Sequence, residues 1–153
     1  MSAPRVTVIR HEHFNAAHRL HNPTLGDDEN RAIFGKCNSP NYHGHNYELA
    51  IHVTGPVDAR SGYVIDLGIL SAMVKRLVLD RFDHRNLNLD VAEFAELNPT
   101  AEHIAVVIHD LLRAELPAHL DLQITLQETP RNWVRYPAEH PSTPSTPTEG
   151  RRA

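Results

Sequence analysis

The chain has 153 residues, 22% charged and 41% hydrophobic, with a formal charge of −4. That length and balance describe one globular domain with a sizeable core. They argue against a general nucleic-acid or membrane-surface binder, which needs a broad basic face. A single cysteine excludes an intramolecular disulfide framework and makes the cytoplasm the expected compartment. No stretch reads as a signal h-region or a bilayer span.

Val6 and Val8 alternate with Thr7 and Ile9, so 5–14 reads as a strand. Residues 22–41 have the Asn, Pro, Gly and Asp content of a loop, and one this long inside a small domain is expected to be functional. Over 45–55, Tyr47, Leu49, Ile51 and Val53 form one alternating row, with His45, Glu48, Ala50, His52 and Thr54 assigned to the less apolar positions. Asp66 is the expected N-cap of a helix running to about Asp80, with Leu67, Leu70, Val74, Leu77 and Val78 on one stripe. Residues 82–98 look irregular. Thr100 caps a second helix, with Glu102 in its first turn and Ile104, Val107, Ile108, Leu111 and Leu112 facing inward.

Leu122, Ile124 and Leu126 then alternate with polar residues as a half-buried strand, and Trp133–Tyr136 returns as a last one. Residues 138–153 are rich in Pro, Ser and Thr and read as a disordered tail, leaving 1–137 as the domain. The order ββααββ implies an α+β domain, with helices on one face of an antiparallel sheet.

Chemistry concentrates in a few places. His43 and His45 share one face of a strand, and two neutral imidazoles on one side can share a metal. His18 is the candidate third ligand, which would leave a fourth position for water or substrate. Most of the other histidines read as solvated or satisfied in the core. Cys37 has three readings: a fourth ligand closing a structural site, a reactive thiolate helped by Lys36, or a small apolar filler. Asp83-His84 is either a carboxylate orienting an imidazole or a surface pair in a turn. Glu128 continues the apolar row of its strand, where a carboxylate needs a partner. It suits a salt bridge or the N–H edge of a guanidine-like ring.

Phe14-x-Ala16-Ala17-His18, Gly35-Lys36-Cys37-Asn38-x-Pro40-Asn41-x-His43-Gly44-His45, Asp83-His84-x-x-Leu87-Asn88, Pro99-Thr100-x-Glu102 and Gln127-Glu128-Thr129 occur in that order. Together, over residues 5–136, they resemble the 6-pyruvoyltetrahydropterin synthase and 6-carboxytetrahydropterin synthase family. The resemblance implies a tunnelling (T-fold) domain: a four-stranded antiparallel sheet with two helices on one face, assembling into a multi-subunit barrel as a trimer or hexamer. It places active sites between subunits. It also implies that His18, His43 and His45 hold Zn2+, that Cys37, Asp83 and His84 transfer protons, and that Glu128 anchors a pterin with help from Thr100 and Glu102.

The implied substrate is the small molecule 7,8-dihydroneopterin triphosphate, with Lys36, Arg19 and Arg131 as candidate phosphate contacts and no nucleic acid or membrane as partner. Five residues separate Cys37 from His43, a spacing that resembles the pyruvoyl-forming members; the carboxy-forming, queuosine-pathway enzymes typically have three. The alternatives are that carboxy-forming activity, which releases acetaldehyde and triphosphate, a zinc-binding structural protein without catalysis, or an aldol-cleaving dihydroneopterin enzyme of the same fold.

Overall fold

In the computed structural model, which describes residues 2–139, β1 (Arg5–His18) and β2 (His43–Pro56) pair antiparallel from Arg5 opposite Pro56 to His18 opposite His43. The tail assigned to 138–153 lies, from residue 140 on, outside the described residues. β1 runs four residues past the expected 5–14, because Phe14, Ala16 and His18 continue one buried row at period two. On β2 the fully buried row is Tyr47, Leu49, Ile51 and Val53. Counting back by two places His43 and His45 in that same row, so His45 does not belong with Glu48 and His52 as expected.

β4 (Asp121–Thr129) pairs with β2, and β5 (Asn132–Tyr136) pairs with β4, giving the four antiparallel strands expected. A two-residue β3 (Arg85–Asn86) adds a parallel strip along Ala16–Ala17, so the sheet order is β3-β1-β2-β4-β5. Reciprocal hydrogen bonds dock this segment: the Arg19 N–H donates to Asn88 Oδ1 at 2.8 Å, and Asn88 Nδ2 donates to the Arg19 carbonyl at 2.9 Å.

Helix α2 (Leu67–Val74) begins at Asp66, whose carboxylate accepts the N–H groups of Gly68 and Ile69. It continues through a wider π-type turn (Lys75–Leu79) to Phe82. Leu70, Val74 and Val78 are fully buried, whereas Leu67, expected on the stripe, is exposed in the first turn. Helix α3 (Ala101–Arg113) starts at Thr100, whose Oγ1 accepts the His103 N–H, and packs on β4 and β5 through Ile104, Ala105, Ile108 and Leu112. Each of the isoleucine and leucine side chains contributes about 1.5–3 kcal/mol by leaving water. The opposite sheet face carries His11, His13, Glu48, His52, Gln123 and Gln127, a polar row by the same alternation.

The expected loop at 22–41 is not all loop. It contains α1 (Asp27–Phe34) and a 3-10 turn over Gly35–Asn38. Three acids, Asp27, Asp28 and Glu29, sit in the first turn, where the helix dipole favours them, and the Glu29 carboxylate accepts the Gly26 N–H. Buried Asn30 ties the segment together, donating to the carbonyls of Asn22, Leu25 and Gly26 and accepting from the Asn22 N–H. Gly35 ends the helix at φ 54°, a conformation open to glycine.

Candidate metal centre and active site

His18 ends β1 and His43 starts β2, so the register sets the two rings side by side, with His45 two residues along the same face. One nitrogen from each ring lies within 4.8 Å of the others, and His18 Nε2 is 3.0 Å from His43 Nε2. Gly44 makes the approach possible: a Cβ there would lie 3.2 Å from the Ala16 carbonyl oxygen. Tyr42, just before the pair, adopts φ 65°, a left-handed conformation uncommon for a residue with a side chain.

His18 is completely buried, and its Nδ1–H donates to the Pro99 carbonyl at 2.7 Å, which leaves Nε2 as a free lone pair directed at the cluster. Burial, with smaller contributions from His43 and His45, lowers its pKa to about 4 against the opposing pull of the Pro99 carbonyl. Burial first and His45 second also lower that of His43. The buried His45 Nε2 has no hydrogen-bond partner. Three rings with converging nitrogens, one of them orphaned, fit a divalent cation of the kind imidazole binds.

Glu128 reaches the cluster from β4, its Oε1 lying 3.6 Å from both His18 Nε2 and His45 Nε2. It also faces a cavity of about 550 Å³ lined by Thr100, Glu102, Arg131, Trp133 and others. Of the residues assigned to substrate, Glu128, Thr100 and Glu102 therefore share one cavity, although the Thr100 hydroxyl is already engaged as the α3 cap. Arg19 and Lys36 line a different cavity, of about 320 Å³, with Arg31 and Asp27. Arg131 thus stands apart from the other two candidate phosphate contacts.

Cys37 lies in the 3-10 turn, held beside β1 where the Leu20 N–H donates to its carbonyl at 2.9 Å. It is a free, half-buried thiol. Burial first, then the Glu128 carboxylate, raise its pKa. The expectation that Lys36 promotes the thiolate is corrected here, because desolvation and a nearby negative charge both favour the protonated form.

Asp83 and His84 do pair, with His84 Nδ1 and Asp83 Oδ2 3.0 Å apart. The Asn15 N–H, donating to Asp83, is the main cause of that carboxylate's lowered pKa, with His84 contributing less. His84 sits at φ 59°, its own N–H donating to the Asn15 carbonyl at 2.6 Å, and its side chain is 82% exposed. No hydrogen bond or ion pair joins His84 to Cys37 among the described residues. One chain therefore brings together six of the nine residues singled out (the three histidines, Glu128, Thr100 and Glu102), places Cys37 near them, and leaves Asp83 and His84 on an outer edge.

Sequence reasoning missed the Pro99 carbonyl, which is 81 residues from the ring it orients. It also missed Asn38, whose Nδ2 donates to the Leu20 carbonyl and to His21 Nδ1 and so fixes the turn that carries Cys37. The only cue was Asn38 beside the cysteine, in a stretch read as loop.

A family model described as 6-pyruvoyl tetrahydropterin synthase matches residues 7–139. The 6-pyruvoyl tetrahydrobiopterin synthase of Drosophila melanogaster is 41% identical over 139 residues, covering 90% of this chain and 83% of its own. The Homo sapiens protein of the same name is 40% identical over 132 residues, covering 86% and 91%. The solved structure of Caenorhabditis elegans 6-pyruvoyl tetrahydropterin synthase superposes with a TM-score of 0.85 at 40% identity, covering 91% of this chain and 99% of that one.

Proposed function

The chain belongs to the 6-pyruvoyl tetrahydropterin synthase family, and from that premise we propose that it converts 7,8-dihydroneopterin triphosphate to 6-pyruvoyltetrahydropterin with elimination of triphosphate. The observation that carries this reading is the convergence of His18, His43 and His45 beside a cavity lined by Glu128, with a free thiol nearby. The lone pairs of His18, His43 and His45 would hold Zn2+. When bound, the ion supplies Lewis-acid stabilisation of negative charge developing on the substrate side chain.

The remaining work falls to the chain's own groups. Glu128 accepts paired N–H groups from the edge of the pterin ring, as a carboxylate accepts a guanidine-like fork. Arg131, lining the same cavity, lies on the ring's side of the site, while Arg19 and Lys36 supply positive charge in a separate cavity suited to the triphosphate. Cys37, held near Glu128 by the 3-10 turn, takes a carbon-bound proton from the substrate side chain as thiolate. His84, oriented by Asp83, exchanges protons on the substrate's other side. The exposure of that pair on a sheet edge supports a homo-oligomeric working unit, in which it would meet the Cys37 of a second copy of the chain.

Zinc-loaded protein incubated with dihydroneopterin triphosphate should yield 6-pyruvoyltetrahydropterin and triphosphate by mass spectrometry. A 6-carboxytetrahydropterin product with acetaldehyde, or no release of triphosphate, overturns the proposal.

A further inference from the structure

Glu128 Oε1 stands 3.6 Å from two nitrogens, His18 Nε2 and His45 Nε2, at once. That separation is too long for hydrogen bonds, which fall at about 2.7–3.2 Å. Nor does His18 offer Glu128 an N–H, since that ring is buried and its Nδ1–H is given to the Pro99 carbonyl. A hydroxyl or backbone group between them is ruled out by the orphaned state of the buried His45 Nε2.

Donors sharing one tetrahedral ion at about 2.0–2.1 Å lie roughly 3.3 Å from one another. The His18–His43 nitrogens at 3.0 Å and the two carboxylate contacts at 3.6 Å bracket that spacing. Charge points the same way. Three neutral imidazoles leave a divalent cation with its full double charge in a half-buried site, and the Glu128 carboxylate is the negative group in contact with the cluster. The same carboxylate also lines the cavity beside Thr100 and Glu102, so a modest rotation carries it from the rings to a ligand.

We infer that Glu128 is an exchangeable fourth ligand: in the substrate-free protein its carboxylate joins the three histidines on the metal, and a pterin draws it away, opening the coordination position that the substrate side chain needs. The inference rests on the metal-centre reading above and adds a second task for the carboxylate proposed to anchor the ring. It makes ring recognition and metal opening one event, so that a molecule with the right side chain but no N–H edge to capture Glu128 finds the metal closed.

Cobalt(II) tests this without turnover, using the full-length metal-free chain, Co2+ as the metal and unsubstituted pterin as the probe. Wild-type protein should bind one cobalt, and its visible absorption should change when pterin is added. E128Q should bind cobalt about tenfold more weakly, show the altered spectrum from the start, and respond to pterin with no further change. E128D, which keeps a carboxylate on a shorter stem, should fall between the two in affinity. Equal cobalt affinity and identical spectra in wild type and E128Q overturn the inference, as does a wild-type spectrum indifferent to saturating pterin. H43A separates the two levels of argument. If it loses cobalt while E128Q matches wild type, Glu128 alone is wrongly assigned; if H43A keeps stoichiometric cobalt, the metal centre itself falls.

Discussion

Two histidine–carboxylate arrangements sit at opposite ends of the exposure scale. His18 is sealed from solvent, oriented by a carbonyl from another segment and pushed towards neutrality, with Glu128 Oε1 3.6 Å away. His84 is open to solvent, bonded to the aspartate beside it and held in a left-handed backbone conformation. The first arrangement is finished within one chain. The second is rigid but unfinished: a positive φ at a non-glycine residue costs about 1–3 kcal/mol, a cost the Asn15 contacts offset. A protein that spends stability to display an imidazole outward is presenting it to something else, which is why we place its counterpart on another copy.

Substitutions can set the two halves against each other. The largest effect is expected from Cys37→Ala, which should keep the fold and stoichiometric metal while lowering kcat by about a thousandfold or more; loss of metal in that variant would instead make the cysteine a structural ligand. Next comes a mixing experiment. Cys37→Ala and His84→Ala should each be inactive alone. Co-refolded in equal amounts, they should regain about a quarter of wild-type activity if each site draws the two groups from different copies with random assembly. No recovery would put both groups of a site in one chain.

The third prediction concerns the sealed half and pH. Unfolded, the His18 ring titrates near 6.5, and folded near 4, so between those values the unfolded state binds more protons. Stability of the metal-free chain should therefore fall as pH drops from 6.5 towards 4, by about 3 kcal/mol from this ring. Urea denaturation at a series of pH values measures it, and a flat profile across that window would show that the ring is not held neutral. The smallest effect is that of Thr100→Ala, which removes the cap on α3 and should cost about 1 kcal/mol. If pterin affinity then falls while the loss of stability is negligible, the hydroxyl serves ligand rather than helix.

Much of this arrangement can be read before folding. Asp66 and Thr100 announce their helices because a short polar side chain ahead of an apolar period has one obvious use, and the structure finds both side chains accepting N–H bonds. The pairing of His43 with His45 follows from strand parity. Other features are hidden for physical reasons. Helix α1 is written in loop residues because its stability comes from Asn30, a buried amide whose carbonyl partners lie in the turn before it. The last four residues of β1 are small or polar and show their allegiance only when paired with Gly44 and His45. Lys36 beside Cys37 suggested an activated thiol, but desolvation and Glu128 outweigh a neighbour in sequence. Fold class and ligand identities are local patterns, whereas the carbonyl behind His18 and the charge beside Cys37 are products of three-dimensional assembly.

The unbroken ladder between β1 and β2 has one more result. A shift of one position anywhere along the 14 paired residues would turn one strand's imidazoles to the opposite side of the sheet. The convergence of the three rings thus depends on the same register that pairs Thr7 with Thr54 at the far end of the ladder. In a chain whose three histidines could hold an ion, metal affinity would report on strand alignment as well as on the ligands themselves.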